Sequence, residues 1–573
     1  MGNTVAEGLA AALRRHGVRD VFGQSIPSLF FLAAPGQAIR QVVYRAENAG
    51  GAMADGYARV SGRVGVVAAQ NGPAATLLVP PLAEALKASV PVLAIVQEVP
   101  RQARDRNAFQ ELDHVKLFGE CAKAIHRLDD PVRVDDYVDA AVTEATSGRP
   151  GPVVLLVPKD VLAEPVPVAS ARRARLGQFP LDRYAPGADQ IKQVADLLAT
   201  ARRPLVVAGG GVHASGAAPE VAELQQLASV PVATTPMGKG SVDETHPLSV
   251  GVIGYAMGIN GATRYARPLL DDADVILMVG TRTNENGTDG WLLFPPSAIY
   301  IHLDVDPVEV GRNYESLRLV GDAKLTLRAL LDELRARSLE ARTAAREQVA
   351  AQIEAARNEH QAQILPLAGS DASPLRPERI MRELDAQLTP DTIMVADASY
   401  SSVWMCNYLR ARRVGQRFLS PRGLAGLGWG VPLALGAKAA YRDRPVIALV
   451  GDGGFAHCWA EIETAVRMDL PITVVVLNNG ILGYQKHSEL HQFAAHTSAI
   501  GFSPVDHAAI AVACGARGAR VEFAAELVGA LHEALAAPVA TVIDVITDPD
   551  AYPPISAWDG DPILSTLAEG IRR

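Results

Sequence analysis

Asp452 stands at the end of one apolar run, PVIALVGDGGF (445–455), and Asn479 at the end of the next, PITVVVLNNG (471–480). A carboxylate, a carboxamide and a backbone carbonyl, joined by a phosphate, form the oxygen donor set that suits Mg²⁺. The segment GFAHCWAEIETAVRM (454–468) reads as one helix, and the first amides of a helix can hold that phosphate. The plainer reading is a strand end that uses Gly and Asp only for their turn conformations. The stretch also lacks the G-x-G-x-x-G spacing of a dinucleotide fingerprint. The metal reading therefore requires the two strands to be neighbours, with Asp452 and Asn479 on one rim.

The elements that would place them there recur along the chain. Short β-branched runs alternate with longer Ala-, Leu- and Glu-rich segments, the rhythm of parallel sheets covered by helices. A first set includes RVGVVAAQNG, PVLAIVQEV and PVVLLVPKDV. A second includes RPLVVAGGG, DVILMVG and AIYIHLDVD, and a third TIMVADAS, the two runs above and ATVIDVITDP. Residues 163–188, rich in Pro and Arg, read as a linker. Residues 329–364 read as a charged helical stretch, and GSDASPLRP as a second connector. The fold class is α/β, with three doubly wound parallel-sheet domains at 1–165, 188–335 and 370–560. In such sheets ligands bind outside the carboxyl ends of the strands.

Bulk properties narrow the partners. The 573 residues exceed one core, and a net charge of −9 argues against nucleic acid or an anionic membrane. Cys121, Cys406, Cys458 and Cys514 are scattered without a C-x-x-C, which argues against zinc or a disulfide framework. The first 18 residues read as an amphipathic helix without a secretory core, and no run of about 18 apolar residues would span a membrane. The cytoplasm is the expected compartment.

G-D-G followed about two dozen residues later by N-N resembles the diphosphate and Mg²⁺ signature of thiamin-diphosphate (ThDP) enzymes. The layout of essentially the whole chain is similar to the acetohydroxyacid (acetolactate) synthase group of the pyruvate-oxidase-like family. The resemblance implies a pyrimidine-binding, a central Rossmann-like and a diphosphate-binding domain. It implies Asp452, the Asn479 side chain and the Ile481 carbonyl as Mg²⁺ ligands. It places Ala398, Tyr400, Ser401, Gly451, Gly453, Gly454, Leu482, Gly483 and Tyr484 around the cofactor. It also implies a homodimer or dimer of dimers, each site drawing pyrimidine contacts from one subunit and diphosphate contacts from the other.

VVYRAENAGGAMADGYARVSG (42–62) matches the family segment with the catalytic glutamate, here Glu47. A carboxyl bonded to the pyrimidine N1′ favours the imino tautomer, whose nitrogen takes the weakly acidic C2 proton. An apolar setting would raise its pKa. SPRGLAGLGWGVP (420–432) matches the pyrimidine grip: Leu427 wedges the bent cofactor, and backbone groups of Ala425 and Leu427 bond the ring. Gln110, in the F-Q-E segment, is a polar contact near the reacting carbon, and Gln70 a partner for Glu47 or the cofactor. The reaction implied is that of a carboligase or lyase. A 2-oxo acid or related donor loses CO₂ through a ylide and an enamine, and the product adds to an acceptor carbonyl.

The substrate side departs from the family pattern. The second Arg of R-F-D-D-R, which holds the acceptor carboxylate, is Asn286; the Trp that narrows the acceptor pocket is Ser488; and Pro27 interrupts the early glycine-rich loop. A neutral amide cannot replace a guanidinium. Pyruvate decarboxylases differ in their His-His pair and in the Glu that is Gln485 here; glyoxylate carboligase lacks the glutamate kept as Glu47. MADGYARVSGR and AQNGP are also similar to sulfoacetaldehyde acetyltransferase. His487, His491 and His496 are candidate proton donors or carboxylate partners, and Tyr484 a pocket wall. Arg282, Asp304, Asp306, Gly321 and Asp322 keep part of a flavin-contact pattern, while the flavin-contacting M-H-G is altered to GYAMG. The central domain thus holds either a structural FAD or nothing. Two other function classes remain: a flavin- or nicotinamide-dependent redox enzyme, supported by AGGGVHASG, and a non-catalytic relative.

Overall fold

The computed structural model describes residues 4–166 and 172–559. Among the described residues eighteen strands form three sheets of six, every strand pairing parallel. The first sheet lies between Asp20 and Pro158, the second between Pro204 and Val320, the third between Ile393 and Ile546. Central strands such as Val153–Pro158 and Val275–Val279 are buried along their whole length. That is why their sequences are continuously apolar rather than alternating.

The third sheet runs, edge to edge, Phe418–Leu419, Ile393–Ala396, Val446–Gly451, Thr473–Asn478, Thr541–Ile546 and Arg517–Val521. Ile393–Ala396 pairs with the strand that follows it on one side and with Val446–Gly451 on the other. The chain order reverses there, which opens a crevice at the carboxyl ends. Val446–Gly451 and Thr473–Asn478 are hydrogen-bonded neighbours, with Gly451 opposite Leu477. The adjacency that the metal reading requires is present.

One apolar core joins the first and third domains. At its centre helix Glu47–Ser61 crosses helix Gly430–Ala440. A Cβ on Gly56 would sit 2.3 Å from the Leu433 carbonyl oxygen, and one on Gly436 2.0 Å from that of Met53. Both are backbone contacts and cannot yield without separating the helices. Gly56→Ala is expected to cost about 1–3 kcal/mol, read as a lower denaturation midpoint.

The N-terminal helix is Val5–Arg15, closed by a Thr4/Glu7 capping box. Part of the expected linker, residues 167–171, lies outside the described residues, as do 1–3 and 560, which the expected domain bounds include. Residues 172–187 are not a free tether: the Gly177 carbonyl accepts from Val64 N–H at 2.8 Å, and Phe179 is buried. The second connector likewise docks, Leu375 N–H donating to Ile546 O at 2.9 Å. The charged stretch divides into helices Ala323–Arg335 and Glu340–Ala368. The single helix expected over 454–468 is instead two, Asp452–Ala456 and Ala460–Arg467. Gly453 and Gly454 weaken the first. The chain then turns where Trp459 packs on His507, its Nε1–H donating to Nδ1 at 3.2 Å.

Candidate active site

A cavity of about 410 Å³ opens at the crevice of the third sheet. Ala398, Tyr400 and Ser401 reach it from one strand end, and Gly451–Gly454 from the neighbouring one. Asn479 and Ile481–Tyr484 come from the third strand end, and Ala425 and Leu427 from the loop before Gly430. All of these were expected around the cofactor.

Asp452 is buried, and burial pushes its carboxyl up to about 6. Its Oδ2 accepts from Gly480 N–H at 3.0 Å; among the described residues no basic side chain pairs with it. Asn479 Oδ1 lies beside it in a turn, accepting from Ile481 N–H at 3.1 Å. No group of three or more His, Cys, Asp or Glu that could hold a metal occurs among the described residues. One carboxylate, one amide and backbone carbonyls fit Mg²⁺ completed by phosphate oxygens better than zinc. Helices Tyr400–Tyr408 and Gly483–Phe493 both begin at this cavity without a side-chain cap. Their first N–H groups are therefore available to an anion.

Two buried acids unrecognised in the sequence organise the rim. Asp397 accepts from the N–H groups of Ala398, Gly428, Trp429 and Gly430 at 2.9–3.2 Å. A Cβ on Gly454 would lie 2.0 Å from Asp397 Oδ2, so this glycine admits the carboxylate. Glu84 accepts from Gly423 N–H at 2.7 Å, Ala425 N–H at 3.3 Å and Leu424 N–H. Between them they hold the loop that carries Ala425, at φ 60°, and the partly exposed Leu427.

Glu47, Gln70 and Gln110 do not line this cavity. Gln70 Nε2–H donates to Gln110 Oε1 at 2.7 Å. Of the two partners read for Gln70, Glu47 and the cofactor, it bonds neither within this chain: Gln110, fixed through its carbonyl by Asn71 at 2.9 Å, accepts from the amide. Glu47 opens helix Glu47–Ser61 and is half-buried. The N–H groups of Arg45 and Ala46, just before it, donate to buried Glu461 at 3.1 and 3.0 Å. Glu461 was also missed; burial raises its pKa. Gly50 is small of necessity: a Cβ there would meet the Tyr44 ring at 2.2 Å.

Of the three histidines, only His487 reaches the cavity. Its Nδ1 pairs with Tyr400 OH at 2.6 Å, and burial pulls it down to about 4, so it is neutral near pH 7. His491 and His496 are exposed and do not line the cavity. Tyr484 forms a wall, as expected, with Trp558 5.2 Å away. Asn286 and Gln485 also line the cavity, whereas Ser488 and Pro27 do not.

A second cavity of about 170 Å³ lies at the strand ends of the central domain. Arg282, Asp304, Gly321 and Asp322 line it; Asp306 does not, being paired with Arg149 at 3.2 Å. Burial pushes Asp304 up to about 6. A carboxylate at this place in an α/β sheet suits ribose hydroxyls. The altered GYAMG forms a short 3₁₀ turn, Tyr255–Met257, whose Tyr255 faces the first cavity.

Three family models match in chain order. They describe the N-terminal TPP (thiamine pyrophosphate) binding domain of thiamine pyrophosphate enzymes at residues 3–117, the central domain at 191–330 and the C-terminal TPP binding domain at 397–545. A probable acetolactate synthase large subunit of Methanocaldococcus jannaschii is 32% identical, over 99% of this chain and 95% of that relative. An acetolactate synthase of Arthrospira platensis is 34% identical, over 84% and 83%. One of Mycobacterium bovis is 32% identical, over 99% and 92%. No helix of the described residues is long and apolar enough to cross a membrane. With the three thiamine pyrophosphate enzyme domains in chain order and relatives that match nearly its whole length, the protein belongs to the thiamin-diphosphate-dependent acetolactate synthase family.

Proposed function

We propose that this chain is an acetolactate-synthase-like carboligase that uses ThDP and Mg²⁺. The reading rests on one observation: Asp452 and Asn479 share a rim with two uncapped helix starts and with Leu427. Asp452, Asn479 and the Ile481 carbonyl would hold the metal; Ala398, Tyr400, Ser401, Gly453, Gly454, Leu482 and Gly483 would hold the diphosphate; Leu427 would shape the bend. The cofactor supplies an electron sink for the carbon that loses CO₂. The chain supplies position, a dry apolar wall and, at Glu47, a carboxyl that moves a proton at the pyrimidine.

Glu47 does not line the cavity of Asp452 and Asn479 within one chain, which supports a homodimer, or a dimer of dimers, with shared sites. We assign the domains to 1–165, 188–335 and 370–560. Arg282, Asp304, Gly321 and Asp322 at the second cavity support an FAD in a structural role. Four cysteines without a disulfide accord with the cytoplasm.

Incubation with pyruvate, ThDP and Mg²⁺ tests the reading. Acetolactate formed in step with CO₂ is the expected result. ThDP binding without pyruvate turnover would move the donor to another carbonyl compound, such as sulfoacetaldehyde. Absence of ThDP binding would overturn the proposal.

A further inference from the structure

Asn286 leaves the substrate side without the guanidinium that the resemblance places there, yet the cavity does contain one. Arg422 is the only Arg or Lys among the described residues that line it; it sits on the loop that carries Leu427 and also borders the second cavity. Its Nη2–H groups donate to Tyr255 OH and Ser402 Oγ, and its Cζ lies 5.1 Å from the Tyr255 ring. Its Nε is buried without a partner.

Among the described residues no carboxylate pairs with Arg422. The acids nearby are engaged elsewhere. Glu84 caps Gly423–Ala425 and meets Arg59 at 3.4 Å; Asp397 accepts four backbone N–H groups; Asp548 pairs with Arg376 at 2.8 Å. Asp452 belongs to the metal rim. A guanidinium stays charged at any physiological pH, and a partly buried cation left uncompensated costs stability. Here it is braced by two hydroxyls and an aromatic face, while its Nε finds no partner. A planar fork of that kind matches a carboxylate.

We propose that Arg422 anchors the carboxylate of the 2-oxo acid substrate, taking the part left vacant at Asn286. This rests on the carboligase reading above. Tyr255 and Ser402 are positioning residues: they fix the guanidinium at the cavity wall.

The test uses Arg422→Gln and Arg422→Lys in the full chain, with ThDP and Mg²⁺. In acceptor kinetics, Arg422→Gln is expected to raise KM for a 2-oxo acid at least tenfold and that for acetaldehyde, which has no carboxylate, less than twofold. Arg422→Lys, which keeps the charge, should recover part of the loss. Calorimetry with oxamate, an unreactive 2-oxo acid mimic, reads the same site without turnover, and a tenfold weaker Kd in Arg422→Gln is expected. Equal oxamate binding by wild type and variant, or equal losses for both acceptors, overturns the proposal. A tenfold rise in the ThDP Kd also overturns it, because Arg422 would then hold the cofactor's diphosphate. If the wild type binds no ThDP the carboligase reading fails, and the oxamate comparison still decides whether Arg422 binds a carboxylate.

Discussion

Glu47→Gln is expected to lower turnover by roughly 10²–10⁴-fold, the range lost with a general acid–base group, while ThDP affinity stays within a few-fold. Glutamine keeps the size and hydrogen-bonding reach of the side chain but cannot exchange a proton with the pyrimidine. Glu47 is held for that task from behind. Glu461 fixes the two N–H groups that precede it, and Gly50 lets the Tyr44 ring pack beneath. Calorimetry with ThDP and Mg²⁺ separates loss of proton transfer from loss of binding. Glu47 and Asp452 lie in separate halves of one chain, so a mixing experiment reads the assembly as well. Chains carrying Glu47→Gln, mixed and reassembled with chains carrying Asp452→Ala, form heterodimers with one doubly damaged site and one intact site. With random pairing in a two-fold dimer, about a quarter of wild-type activity should return. No recovery, after exchange of subunits is shown, would mean that each chain builds its own site.

The parts legible in the sequence are those carried by local pattern. Continuous apolar runs mark buried parallel strands, and Asp452 and Asn479 mark the ends of two of them. What the sequence leaves hidden depends on partners far along the chain. Asp397 reads as a turn residue after TIMVA until Gly428–Gly430 N–H groups converge on it. Glu84 reads as a polar position of an Ala-rich helix, yet it holds a loop 339 residues away. Glu461, which reaches Arg45 across 416 residues, is of the same kind. A hydrophilic residue on an apolar helix face was the only available signal, and it does not name the partner. Gln70, read as a partner for Glu47 or the cofactor, bonds to Gln110 within the chain for a related reason. An amide takes whichever acceptor the fold brings near, and the loop bearing Gln110 brought its own. The split of 454–468 was local by contrast: two glycines and a Trp–His contact override helix periodicity there.

Asp452→Asn is expected to abolish metal-dependent cofactor binding, with activity falling below detection and the ThDP Kd rising at least about 100-fold. The same change should leave the cofactor-free protein as stable as the wild type, or more so. The two effects have one cause. In the free protein Asp452 is a buried carboxylate with no basic side chain paired to it among the described residues; it accepts from the Gly480 N–H, and burial has pushed its carboxyl up to about 6. Taking a charge out of water without compensation costs free energy, so a neutral amide that still accepts from Gly480 relieves that cost. Mg²⁺ reverses the balance, because a hard cation supplies the missing charge. A ligand at 100 times its Kd stabilises the folded state by about 2.7 kcal/mol. Thermal unfolding should therefore show a clear rise for the wild type with ThDP and Mg²⁺, and none for Asp452→Asn. Chelation of the metal should make the wild type behave like the variant. A variant that still gains stability from ThDP and Mg²⁺ would remove Asp452 from the ligand set. An unliganded variant much less stable than the wild type would show that the carboxylate supports the fold, and that its place at the strand end needs no metal to explain it.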